Sequence, residues 1–174
     1  MKILPVLSVA LAATALLVPA ASAKQPLPST IQVPAGHTLS ETAHAIGVQI
    51  YSCNGTAWTL VAPRANLYDR RGRFRISHFA GPTWMHRDGS HVVGRVVAPA
   101  PAAGTIPWLL LSAAAGGAGP YGSTLADVTY IQRVNTTGGV APAAAGCNAS
   151  SAGTVAEVPY TADYRFWKAK KKRA

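Results

Sequence analysis

Tyr160-Thr-Ala-Asp-Tyr-Arg-Phe-Trp167 alternates with a period of two: Tyr160, Ala162, Tyr164 and Phe166 fall on one face, Thr161, Asp163 and Arg165 on the other. That is the pattern of a half-buried β-strand. Shorter runs rich in Val, Ile, Thr, Tyr and Trp recur upstream, separated by Gly, Pro and Asn. They predict further strands at 48–52, 57–62, 73–79, 91–98, 108–112 and 128–134. Stretches 98–104 and 138–153, made of Ala, Pro, Gly and Ser with nothing bulky to bury, read as loops.

One helix signal precedes the strands. Thr38 and Glu41 have the spacing of a capping box, Leu39, Ala43 and Ile46 follow at helical intervals, and Gly47 is a stop. Prolines 26, 28 and 34 make the segment before it an extended lead-in. The fold expected is mostly β: an antiparallel β-sandwich or barrel-like single domain with a short N-terminal helix.

The flanks of this domain carry their own signals. Lys2, the uncharged run 3–19 and the small-x-small triplet Ala21-Ser22-Ala23 compose a signal peptide over 1–23, so the mature chain is predicted to start at Lys24 and to be exported, periplasmic or extracellular. No later apolar run is long enough for a membrane-spanning helix. Cys53 and Cys147, the two cysteines of the chain, are expected to pair in an oxidising compartment, with two free thiols as the alternative.

The chain has 16 basic and 6 acidic residues; removing Lys2 with the leader leaves 15 against 6. Part of the excess is the tail 168–174, in which Lys168, Lys170, Lys171, Lys172 and Arg173 crowd together and read as disordered. Those five residues would contact anionic envelope polymers or lipid headgroups, or simply keep the end soluble, with no specific nucleic-acid partner implied.

Few residues suggest chemistry. Asp88-Gly89 reads as a two-residue type I′ turn, which would pair Arg87 with Ser90 and place His86 opposite His91. With His78 on the preceding strand these imidazoles form a candidate site for a divalent transition metal, although no HExxH, His-x-His or paired-cysteine motif supports it. His78 shares strand parity with Phe74 and Ile76, which fits a core histidine held by a hydrogen bond. No Gly-x-Ser-x-Gly elbow is present. Gly117-Ala-Gly119-Pro-Tyr-Gly122 matches a dinucleotide fingerprint but has Pro120 where a helix should start and no βαβ unit around it.

Several ordered motifs carry a family resemblance: Gly47-Val-Gln-Ile-Tyr-Ser-Cys53, His78-Phe-Ala-Gly-Pro-Thr-Trp84, Asp88-Gly-Ser90, Tyr130-Ile-Gln-Arg-Val134, Gly138-Gly139 and Val158-Pro-Tyr160 with Asp163-Tyr164. From about Ile31 to Trp167 the chain resembles the exported proteins grouped as domain of unknown function 3455. The resemblance implies export and a compact domain, with no activity or cofactor to carry over. It ranks Trp84, Asp88 and Arg133 as candidate ligand-binding residues. Trp84 would either stack on a sugar, as in a carbohydrate-binding module, or fill the core. Taken together the residues favour a non-catalytic binding or structural role in the cell envelope or secretome, against a metal-binding alternative on His78, His86 and His91.

Overall fold

A computed structural model of the chain describes residues 26–171. The predicted signal peptide, together with Lys172 and Arg173, lies outside the described residues. Eight antiparallel strands follow one another around a closed barrel: β1 (His37–Cys53), β2 (Trp58–Tyr68), β3 (Phe74–Phe79), β4 (Thr83–His86), β5 (His91–Ala100), β6 (Trp108–Gly117), β7 (Val128–Gly138) and β8 (Val155–Ala169). Each pairs with its sequence neighbours, and β8 returns to β1 to close the ring. Of the two β architectures expected, the barrel is the one adopted.

The expected helix does not form. Its residues lie in β1, where Ala43 and Ala45 point into the barrel while His44 and Ile46 face outward. The segment is engaged along β8 from Thr38 opposite Lys168 to Gly47 opposite Tyr160, and from His44 onward along β2 as well, so sheet pairing overrides a short local signal. Glu41 caps nothing; its carboxylate lies 3.7 Å from the Arg75 guanidinium. Gly47, the supposed helix stop, sits where β1 crosses β2 so closely that a Cβ would overlap the Arg64 carbonyl and the Ala65 backbone.

The predicted tail is also shorter than expected. Lys168 belongs to β8, paired with Thr38 and Val128, and the Lys170 amide donates to the Gly36 carbonyl at 2.8 Å. These backbone bonds order the first residues of a segment whose charge alone predicts disorder.

Inside the barrel, one half is solid. Leu67, Ile76, Val92, Val128, Ile131 and Phe166 fill it, and Leu125 from the β6–β7 loop plugs that end. Outside, the lead-in is packed rather than merely extended: Leu27, Ile31 and Val33 cover Ala100, Trp108, Leu110 and Val134 on the outer face of β5 to β7, and Gln132 Nε2 donates to the Ile31 carbonyl at 2.7 Å. At the opposite end from Leu125, the β7–β8 connection folds across the opening. Cys147 in that connection is disulfide-bonded to Cys53 at the end of β1, which settles the pairing.

The bridge closes a separation of 94 residues, so the loop-entropy argument assigns it about 4 to 5 kcal/mol of stability. A Cys53→Ala, Cys147→Ala double variant is therefore expected to lose that amount in urea denaturation while retaining the strand signature of the barrel by circular dichroism. A loss below about 1 kcal/mol would show that the unfolded chain gains little freedom when the tether is cut.

Candidate functional site

Strand lengths create the site. β3 and β4 are only 6 and 4 residues long, and their turn ends well below the rim. β2 pairs with β3 only through Ala65–Tyr68, and β5 pairs with β4 only through His91–Val93. Residues 58–64 of β2 and 95–100 of β5 thus face a notch in the wall, floored by Gly81 and Pro82, with a single tie from the Gly94 amide to the Pro82 carbonyl at 2.9 Å. Pro63 and Pro99 remove amide donors from these two edges, which discourages a further strand from filling the gap.

Behind the notch is a cavity of about 460 Å³. Leu60, Val61, Ala62, Pro63 and Val96 form its mouth, Leu109, Leu111 and Trp84 its apolar wall, and Gln49, His78, Arg133 and Tyr164 its polar wall. Leu60, Val61 and Val96 are more than half exposed at the entrance. The room exists because β1 and its neighbours present Ala43, Ala45, Gly47, Ala65 and Ala162 to the interior, small groups set among large rings. A depression of about 550 Å³ along 39–42 and 69–73 is an open surface groove.

The polar wall leaves donors unpaired. Gln49 Nε2 and Trp84 Nε1 are buried without a hydrogen-bond partner, and the buried Tyr160 and Tyr164 hydroxyls, close to each other and to Arg133, make no well-formed hydrogen bond. Each such orphan costs about 1–3 kcal/mol unless something satisfies it. Arg133 pairs across the sheet with Tyr164, and its Nε and Nη2 both donate to the Pro107 carbonyl, at 3.1 and 2.8 Å. Among the described residues no carboxylate lies within 4.0 Å of this guanidinium. Burial pushes the Tyr160 and Tyr164 phenols well above their usual range, outweighing the nearby charge of Arg133, so both remain protonated donors.

His78 supplies the complement. Its ring stacks on Trp84 at 4.3 Å between centroids and meets Tyr164 edge-on at 5.2 Å. Nδ1 lies 2.9 Å from the Thr83 carbonyl, which can only accept, so Nδ1 carries the proton and Nε2 keeps a lone pair. Burial, reinforced by the Arg133 charge, lowers its pKa to about 3. The ring is neutral at physiological pH.

The other sequence-predicted residues lie elsewhere. Asp88 is a structural clasp at the far end of the barrel: its carboxylate accepts from the amides and hydroxyls of Ser90 and Thr124, and although burial opposes the charge those donors hold it well below the usual carboxylate range. The glycine-rich stretch packs on the same hairpin, Gly119 against Asp88 and Gly89. That hairpin is not the two-residue turn expected. Only Gly89 takes a left-handed conformation, at φ 83°, and His86 and Ser90 flank a three-residue loop.

The register moves by one, so His91 pairs with Met85 and faces away from His86, which points inward. Among the described residues no three His, Cys, Asp or Glu side chains converge as a metal site. Trp84 is 1 % exposed and covered by His78, so it cannot stack on a sugar at the surface; it and Arg133 do line the cavity. Gln49 and the phenols of Tyr160 and Tyr164 escape sequence reasoning as site residues, although a glutamine among strand apolars and tyrosines on a buried face are the pattern that would find them.

Comparison with known proteins gives a family and no function. One family profile, described as "Protein of unknown function (DUF3455)", matches residues 34–168. No curated protein and no solved structure matches the chain.

Because folding favours neutral His78, its contribution to stability is complete above pH 6.5, the ordinary histidine value, and fades as pH falls toward 3. Between pH 7 and 4.5 the wild type is expected to lose about 2 to 3 kcal/mol in urea denaturation from this residue. A His78→Gln variant, which keeps a donor for the Thr83 carbonyl, is expected to lack that component. Equal losses in both proteins would remove His78 as the source.

Proposed function

We propose, from a chain that belongs to the DUF3455 family of proteins of unknown function, that this barrel is an exported binding protein for a small, largely apolar molecule. The ligand enters by the notch between β2 and β5 and lodges against Trp84, Leu109 and Leu111. One observation carries the reading: a cavity of about 460 Å³, within the roughly 300–1,000 Å³ typical of small-ligand sites, whose wall keeps buried polar atoms without partners. Eight-stranded barrels have interiors wide enough to hold one small ligand. Export is supported by the leader-like first 23 residues and by the disulfide.

Binding rather than catalysis is favoured by the titration of the site. A histidine held near pKa 3 is a weak base at neutral pH, and the phenols around it are driven further from neutrality. The charge of the chain remains available for anchoring: Lys170 and Lys171 are exposed at the end of β8, where they would meet an anionic envelope surface.

A neutral fluorescent apolar probe, N-phenyl-1-naphthylamine, is expected to bind the mature protein saturably at one site and to quench tryptophan emission through Trp84. Leu109→Trp fills the cavity and is expected to abolish that binding without lowering the midpoint of thermal unfolding. Failure of the wild type to bind the probe saturably would overturn the cavity as a ligand site.

A further inference from the structure

The unpaired groups behind the notch are not a random set. Every orphan on the cavity wall has a hydrogen to donate: the Gln49 amide nitrogen, the Trp84 indole and the Tyr164 hydroxyl, all in residues at least 98 % buried. The one formal charge in the cavity is a cation, Arg133, whose Nε and Nη2 are fixed by the Pro107 carbonyl and which has no carboxylate partner among the described residues. A neutral His78 adds the Nε2 lone pair as a fixed acceptor beside them. A neutral apolar ligand would leave these donors as costly as they are in the empty barrel. A group that only accepts would satisfy several together, and a charged acceptor makes the stronger hydrogen bonds.

The geometry points to an amphipathic monocarboxylic acid as the ligand class, its carboxylate held by Arg133, Tyr164 and Gln49 and its apolar body laid along Trp84, Leu109 and Leu111 toward the notch. A single guanidinium among neutral groups balances one negative charge, so a monoanion fits better than a phosphate dianion. His78 Nε2 would accept from a hydroxyl near the acid group. Leu60, Val61 and Val96 give the apolar body a path that the solid half of the barrel does not offer. This assignment rests on the cavity being a binding site, and it is tested so that the two can fail separately.

Octanoate and 1-octanol share a chain and differ in the head. Competing each against N-phenyl-1-naphthylamine on the full mature protein at neutral pH, octanoate is expected to bind at least about tenfold more tightly than octanol. Arg133→Gln is expected to erase that preference while octanol still binds, and Arg133→Lys to keep part of it. Tyr164→Phe, which removes one donor and little volume, is expected to weaken octanoate several-fold and leave octanol unchanged. Equal affinity for acid and alcohol in the wild type, or a preference surviving in Arg133→Gln, overturns the acid assignment and leaves the apolar site standing. Binding of neither compound, with the probe also unbound, overturns both. Retention of the thermal midpoint in Arg133→Lys and Tyr164→Phe guards against reading misfolding as lost recognition.

Discussion

Along most of its length β8 pairs with β1 on one side and β7 on the other, and this double pairing removes the open edges that an eight-strand antiparallel meander would otherwise present. Closure imposes a strict inside and outside. Once Tyr160, Ala162, Tyr164 and Phe166 face the axis, the register across from them obliges Gly47, Ala45, Ala43, Arg133 and Ile131 to do the same. The cation in the interior is thus a consequence of strand parity: Arg133 lies opposite Tyr164, two residues from Ile131, and has nowhere else to point.

Strand length then divides the interior. Where all eight strands run side by side, aliphatic and aromatic groups fill the axis and Leu125 seals the end, an arrangement typical of a small barrel. Where β3 and β4 stop short, there is no wall from which to project side chains, and β2 and β5 part around a notch. The β7–β8 connection covers the same half from above. Tyr51 OH donates to the Gly139 carbonyl at 2.7 Å, and the disulfide ties Cys147 to the end of β1, so the roof is held at two points while the side remains open. Rigidity above and an opening at the side are compatible with a preformed site that needs no moving lid.

The strands of this fold were legible because their alternation is a local property: the 160–167 stretch and the Cys53–Cys147 pairing could be read from residue types and compartment alone. The helix signal at 38–47 misled because Thr38, Glu41 and Ala43 satisfy short-range rules that pairing with β8, joined by β2 from His44 on and invisible in one sequence, outweighs. His86 and His91 were misplaced by a single residue of turn length, since Asp88 tolerates but does not require a left-handed conformation, and one residue is enough to reverse a face. The cavity was illegible for a different reason. It is made by what is missing, six residues of β3 and four of β4 beside the eleven of β2 and ten of β5, and no periodicity reports a strand that ends early.

The energetic cost of that absence falls on one wall. A packed core would have placed aliphatic groups at Gln49 and Tyr164, and replacing a buried donor by an apolar group of the same shape is close to neutral or stabilising, whereas leaving it unpaired is not. Donors from β1, β4 and β8 are unpaired in the same half of the barrel, beside a guanidinium from β7, while two further orphans, Arg75 Nε and His86 Nε2, lie away from the cavity. The gathering of unpaired donors along one side of one cavity is the observation on which the proposed ligand site rests. His78, stacked on Trp84 and tied through Nδ1, presents a fixed acceptor to the cavity where these unpaired donors gather.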